Sequence, residues 1–315
     1  LTGVHDPGVN GSVIERYRAK IAAGALPLRV YAMADGIGTT LDGLCANGPL
    51  ADAGGRLQMR AVKLYADGAL GSRGAALLAD YADDPGNQGL LFAADEALQE
   101  QMRRVLSCGL QVAVHAIGDR ANRQVLDAYE RLLPEYPDNP GRHRVEHAQV
   151  LDAADIPRFA ALGVIAAMQP VHATSDMYWA GERLGAERLA GAYAWNSLAD
   201  AGALLAFGSD FPVEQANPML GIYAAVSRQD LAGWPEGGWQ PQERLTREQA
   251  IRAFTLDAAR AAFMEDSVGS LESGKRADFI VLDRDLMQVP VEEIPATQIL
   301  QTWVDGAPVF QRPSQ

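Results

Sequence analysis

The sequence predicts an α/β fold of the (β/α)8 TIM-barrel type. Short β-rich runs alternate with longer helical patterns, which indicates parallel strands covered by helices. Successive strand ends lie roughly 30 residues apart, the length of one βα unit. The chain has 315 residues, 48% of them hydrophobic, which is enough for one large core. The strands are predicted to end near His5, Ala34, Ala66, His115, His147, Gln169 and Ser209.

Local signals mark several helices and loops between these strands. Asp95 is a candidate cap for a helix that runs to Cys108 and stops at Gly109, because acidic residues favour helix N-termini and glycine favours C-termini. Thr246 and Gln249 have the spacing of a capping box. The glycine-rich stretches at 35–55 and 80–89 are predicted to be loops. The segment Leu1–His5 is predicted to enter a turn at Asp6–Gly8.

The last 50 or so residues follow another pattern, which predicts a small β appendage. A strand is expected at Asp278–Leu282, and Asp305-Gly306 is a hairpin signal between two further strands. We therefore predict a barrel at 1–263 and part of a small β-sandwich at 264–315. A closed barrel has eight strands, so seven predict that the first strand lies upstream of Leu1 and that the chain is truncated at its N-terminus.

Charge and composition exclude some partners. The net charge of −13 would repel a nucleic-acid backbone. No apolar run approaches the roughly 20 residues that span a bilayer, so no membrane partner is expected. Cys45 and Cys108 are far apart and outside any CxxC pattern, which favours free thiols in a reducing compartment. A cytoplasmic location is the resulting expectation.

Ionisable residues occur where the predicted barrel strands end. Lys63 lies within one strand, His115 and His147 end the next two, and Asp210 follows the last. Active sites of such barrels form at the carboxyl ends of the strands, and this set is suited to one or two divalent metals such as Zn²⁺. Taken singly, each residue has a simpler explanation: a structural histidine, a turn aspartate or a lysine that reaches solvent. Their joint placement predicts the metal site.

Several segments resemble the amidohydrolase superfamily, and most closely its YtcJ-like branch, called amidohydrolase family 3, which includes N-substituted formamide deformylase. The resemblance runs nearly from end to end. The segments that carry it are Val62–Arg73, Val114–Asp119, Val145–Gln149, Met168–His172, Phe207–Pro212 and Gly269–Leu282.

The resemblance implies a catalytic mechanism and a role for each residue. Lys63 would be carbamylated and bridge two metals, His115 and His147 would bind the more exposed metal, and Asp210 would contact the buried metal and transfer the proton. The implied activity is hydrolysis of a non-peptide C–N bond in a small amide by metal-activated hydroxide. Zn²⁺ is the expected metal, and a homodimer is a further expectation.

One part of the family pattern is absent. No His-x-His pair occurs among the five histidines, and the family uses such a pair to hold the buried metal. A chain that included an upstream His-x-His is therefore expected to bind about two divalent ions. This chain alone is expected to bind one divalent ion weakly or none. If it binds none, it is expected to be inactive.

Four further residues are candidates for substrate binding. Gln169 and His172 follow one strand, and Asp67 and Arg73 follow another. His172 has the alternative of a surface position, and Asp67 and Arg73 have that of ordinary turn residues.

Two other functions stay open at the level of sequence. A metal-free barrel enzyme could hold a phosphate on the backbone of Gly208-Ser209, although Asp210 would then place a carboxylate against the anion. A catalytically inactive barrel could serve as a binding module, and the missing His-x-His pair favours that alternative. Four ligand-type residues at strand ends favour the hydrolase over both. Measurement of bound metal distinguishes the three functions.

Overall fold

A computed structural model describes residues 1–313, and it contains all seven predicted parallel strands. They pair in the order of the sequence, and a short strand at Leu50–Ala51 pairs with the strand at Leu57–Tyr65 in the antiparallel direction. Over the described residues the first and last strands are the outer strands of the sheet and do not pair with each other. The strands are β1 Gly3–Val9, β2 Arg29–Asp35, β3 Leu50–Ala51, β4 Leu57–Tyr65, β5 Gln111–Ala116, β6 Arg144–His147, β7 Ile165–Met168 and β8 Leu205–Phe207.

Helices connect consecutive strands, as the alternating pattern predicts. Thr246 and Gln249 form the predicted capping box at the start of one helix. The helix expected at Asp95 begins there, but Ala94 occupies the cap position and Asp95 makes no capping bond. The helices are α1 Gly11–Ala22, α2 Thr39–Asn47, α3 Asp95–Ser107, α4 Asp119–Leu132, α5 Ile156–Leu162, α6 Pro170–Asp176, α7 Ala180–Arg188, α8 Trp195–Asp200, α9 Pro218–Ser227, α10 Arg247–Phe254 and α11 Leu256–Ala261.

The central strands are buried on both faces, which is typical of a parallel sheet covered by helices. One face packs against the helices in the main core. On the other face, Tyr31, Met33, Ala61 and Ala113 form a separate cluster with residues at and after α11, among them Met264. This second cluster lies inside the curve of the barrel-type sheet. Side chains nearer the strand ends on the same face therefore form the candidate site.

The C-terminal segment forms the predicted small antiparallel sheet. Its strands are β9 Phe279–Leu282, β10 Ile299–Val304 and β11 Ala307–Gln311, in the order β11-β10-β9. Asp305 and Gly306 both have positive φ, at 55° and 73°, as a two-residue hairpin turn requires. The domain boundary at 263/264 and an eighth strand upstream of Leu1 stay predictions.

Three local predictions are wrong. β1 does not stop at His5 but continues to Val9 through an irregularity in its pairing with β2. The stretch 35–55 contains α2 and β3, because burial of Leu41 and Leu44 stabilises a helix despite its glycines. Cys45 and Cys108 form a disulfide between α2 and the end of α3, with their Cα atoms 5.0 Å apart.

The disulfide removes the argument from free thiols for a reducing compartment, so the cytoplasmic location stays a prediction without that support. In residues 1–313 no helix has both the length and the apolar character needed to cross a membrane.

Candidate functional site

The candidate site lies at the carboxyl ends of β4 to β8. Parallel strands bring these ends to one edge of the sheet, so residues far apart in sequence meet there. Lys63 lies near the end of β4, His115 near the end of β5, and His147 ends β6. His172 lies in α6, directly after β7, and Asp210 follows β8.

Four of the predicted site residues form a continuous row. The ring centroids of His115 and His147 are 4.6 Å apart, and those of His147 and His172 are 6.1 Å apart. His172 Nε2 lies 4.0 Å from Asp210 Oδ2. The structure therefore brings together side chains from the ends of four successive strands, and their predicted roles in binding metal and substrate stay predictions.

The backbone is bent sharply at two positions in this row. His147 has a φ of 79° and Asp210 a φ of 55°, both in the left-handed region that non-glycine residues rarely adopt. Such conformations cost free energy and persist where surrounding structure enforces them, often at functional sites. Both residues lie at or just after the end of a strand.

The three imidazoles of the row are uncharged near neutral pH. Burial lowers the pKa of His115 to about 4, with Lys63 as a further cause, and burial lowers the pKa of His172 to about 4. Burial, then Lys63, lowers the pKa of His147 well below its usual value. In the part of the chain that the structure describes, His115 Nε2 and His172 Nε2 are buried without a hydrogen-bond partner. These two nitrogen atoms are suited to bind a ligand.

Lys63 lies close to the same row. Its side chain is 4% exposed, and burial lowers its pKa, while Glu146 and Asp210 oppose that shift. Burial also raises the pKa of Asp210, and Lys63 opposes that change. A lysine with a lowered pKa has a larger uncharged fraction, which is the form that reacts with carbon dioxide.

Asp67 has a structural role, and its expected contact with substrate stays a prediction. Asp67 is 1% exposed and accepts hydrogen bonds from the backbone N–H groups of Ala76, Ile117 and Gly118. It therefore joins the loop after β4 to the loop after β5. Its Oδ1 lies 3.5 Å from His115 Nε2.

Arg73 and Gln169 also make contacts that the sequence does not predict. Arg73 forms a salt bridge with Asp83 at 2.8 Å, so its guanidinium is held within the loop that follows β4. Gln169 Oε1 lies 2.8 Å from His147 Nδ1, so the Gln169 amide contacts a histidine of the row. His172 is not a surface residue, since its side chain is 12% exposed.

Sequence reasoning missed a buried polar cluster beneath the row. Arg144 and Glu146 of β6 form an ion pair at 2.7 Å, and Arg144 NH1 lies 2.9 Å from His5 Nδ1. Burial, followed by Arg144, lowers the pKa of His5 to about 3. The alternation Arg144-Val-Glu146 places both charges on one face of the strand, and this was the signal that could have identified them.

The donor atoms of the row fit a divalent metal in chemical type. Neutral imidazoles with free nitrogen atoms and a carboxylate are ligands that Zn²⁺ prefers. Within residues 1–313, however, no three His, Cys, Asp or Glu side chains are grouped closely enough to hold an ion between them. The described residues thus resemble one side of a metal site.

The chain matches the model of the amidohydrolase family over residues 1–310. Among curated proteins, it is 37% identical to a putative amidohydrolase, YtcJ, from Bacillus subtilis, over 82% of this chain and 49% of that protein. It is 29% identical to the N-substituted formamide deformylase of Arthrobacter pascens, over 99% of this chain and 58% of that enzyme. The chain therefore spans about half the length of these relatives.

A solved structure has the same fold over most of the chain. It is an uncharacterized metal-dependent hydrolase from Pyrococcus horikoshii, with a TM-score of 0.82 and 33% identity, covering 91% of this chain and 57% of that one. From its sequence match and its fold, the chain belongs to the amidohydrolase family.

Proposed function

We propose that this chain provides catalytic residues of a metal-dependent hydrolase that cleaves a non-peptide C–N bond in a small amide. The observation that carries the proposal is the row His115, His147, His172 and Asp210. It combines uncharged imidazoles and a carboxylate at the strand ends where barrel enzymes hold their substrates. Family membership and the similarity to a formamide deformylase support an amide as the substrate.

In this proposal His115 and His147 would hold one divalent ion, with Zn²⁺ expected, and Asp210 would hold a second. A carbamylated Lys63 would serve as a ligand of both ions. When bound, such an ion polarises the amide carbonyl and lowers the pKa of water toward about 7. Carbamylation would convert the Lys63 side chain from a cation into an anion. The lowered pKa of Lys63 favours this reaction, because only the free amine reacts.

Asp210 is the proposed proton carrier. As a carboxylate it accepts a proton from the attacking water, and as a carboxylic acid it donates that proton to the leaving nitrogen. Burial raises the pKa of Asp210, which brings the two forms closer in free energy at neutral pH. His172, whose Nε2 is 4.0 Å from Asp210 Oδ2, would contact the substrate beside that carboxylate.

A Lys63→Ala substitution in the complete gene product tests the proposal. We expect weaker zinc binding and loss of amide hydrolysis, both partly restored by short carboxylic acids, which replace the missing anionic bridge. Lys20→Ala is the matched control, because Lys20 is an exposed residue in the last turn of α1. Zinc binding is measured by calorimetry and hydrolysis by release of amine. Unchanged zinc binding in Lys63→Ala would contradict the assigned role of Lys63.

A further inference from the structure

The orientation of the Gln169 amide follows from its two contacts. Gln169 Nε2 lies 3.3 Å from the carbonyl oxygen of Ala167, and a carbonyl oxygen can only accept a hydrogen bond. The NH₂ group of the amide must therefore face Ala167. Its oxygen, Oε1, then faces His147 Nδ1 at 2.8 Å.

An amide oxygen has no hydrogen to donate, so His147 must donate from Nδ1. A neutral imidazole carries one N–H, and with Nδ1 protonated the other nitrogen has a free lone pair. We propose that Gln169 is a positioning residue that fixes His147 as the Nδ1–H tautomer and leaves Nε2 as its ligand-binding atom.

Two other histidines have the opposite arrangement. The backbone N–H of Val112 donates to His143 Nδ1 at 3.1 Å, so the proton of neutral His143 is on Nε2. Arg144 NH1 lies 2.9 Å from His5 Nδ1, and arginine only donates, so His5 has the same tautomer as His143. The proposed tautomer of His147 thus differs from that of His5 and His143, two buried histidines whose contacts are structural.

Gln169 also positions the next histidine of the row through its backbone. Its carbonyl oxygen accepts a hydrogen bond from the backbone N–H of His172 at 3.1 Å, in the first turn of α6. One residue therefore connects the end of β6, the end of β7 and the start of α6. The tautomer of His147 does not depend on the proposed function, but the use of Nε2 as a metal ligand rests on the proposed function.

Nitrogen NMR of the metal-free protein with ¹⁵N-labelled histidine tests the tautomer directly. The chain has five histidines, so the spectrum is simple enough to assign by single substitutions. We expect His147 to show a protonated Nδ1 and an unprotonated Nε2 at pH 7, and His143 to show the reverse. Protonation of His147 on Nε2 would overturn the proposal.

Two substitutions at Gln169 test whether its contact fixes the tautomer of His147 or is only structural. Gln169→Leu removes the acceptor, and we expect His147 to lose its fixed tautomer and populate both forms. Gln169→Glu keeps an oxygen beside Nδ1, and we expect the Nδ1–H form to persist. His143 is the internal control for folding, since its tautomer should not change in either variant. A single unchanged Nδ1–H form in Gln169→Leu would contradict the role of Gln169.

Measurement of zinc binding distinguishes a failure of this proposal from a failure of the proposed function. Substitutions of residues that orient a metal-ligating histidine typically weaken metal binding about 10- to 100-fold, and we expect that loss for Gln169→Leu but not for Gln124→Leu. Gln124 is a buried glutamine on α4 that donates to Ala93 O and Asp95. If the NMR result holds and zinc binding does not respond to Gln169→Leu, the positioning role stands and His147 Nε2 is not a metal ligand.

Discussion

Polar side chains make different contacts at the two ends of the parallel sheet. At the amino end, Arg29 at the start of β2 forms two hydrogen bonds with Asp278, at 2.6 and 2.8 Å, and both side chains are 3% exposed. At the carboxyl end, His115 Nε2 and His172 Nε2 are buried without a partner among residues 1–313. Buried polar atoms are normally hydrogen-bonded. Single exceptions also occur at the amino end, at Arg56 NH1 and His143 Nε2, but the two at the carboxyl end belong to one row of side chains. The comparison indicates that the amino end stabilises the fold and the carboxyl end is arranged for a ligand.

Asp210→Asn at the carboxyl end should have the largest effect, on turnover. A general acid–base residue contributes about 10²- to 10⁴-fold to a rate, and asparagine cannot carry the proton. We expect a loss of that size in kcat with little change in the free energy of unfolding, measured by steady-state kinetics and urea denaturation. Near-normal kcat would show that another group transfers the proton.

Asp278→Asn at the amino end should lower the free energy of unfolding and change kcat little. It serves as the matched comparison for Asp210→Asn. The substitution leaves Arg29 without its buried counter-charge, and loss of one partner of such a pair costs about 3–5 kcal/mol. Contact of Arg29 with Asp305 at 2.5 Å should keep the loss at the lower end of that range. Urea denaturation measures the effect. Equal losses of kcat in Asp278→Asn and Asp210→Asn would remove the distinction between the two ends.

A His143→Asn substitution should reduce the sensitivity of the fold to acid. Burial lowers the pKa of His143 to about 4 from an ordinary value of 6.5, so the unfolded chain binds a proton more readily than the folded chain between these values. Stability from this group is present above pH 6.5 and is lost as the pH falls toward 4, by about 3 kcal/mol in total.

Asparagine does not titrate and can accept the hydrogen bond from Val112 N. Unfolding free energies at pH 7 and pH 4 should therefore differ less in His143→Asn than in the wild type. An equal acid dependence in the two proteins would mean that His143 is not buried in its neutral form.

Arg73→Ala should have the smallest effect. Arg73 pairs with Asp83 near the surface, where solvent screens the charges and such pairs contribute little to stability. We expect the unfolding free energy and KM of the variant both to stay close to the wild-type values. A clearly raised KM would support the predicted contact of Arg73 with substrate.

The sequence predicted the ends of β5 and β8 well, because buried parallel strands are apolar runs and His115 and Asp210 lie at or just after the ends of such runs. β6 is not such a run, since it contains Arg144 and Glu146. It did not predict α2, since four glycines in 36–48 outweigh two leucines whose burial only the tertiary structure reveals. The contact between Gln169 and His147 depends on the pairing of β6 with β7, which no local pattern specifies. The disulfide likewise depends on how α2 and α3 lie against each other.

The central claim is that the carboxyl end of the sheet binds a divalent metal through the side chains of His115 and His147. Zinc titration of the complete gene product, followed by calorimetry, tests it most directly when the wild type is compared with His147→Ala and His143→Asn. We predict zinc binding by the wild type and His143→Asn, and its loss or strong weakening in His147→Ala. Absence of zinc binding by the wild type, or equal binding by all three proteins, would contradict the claim.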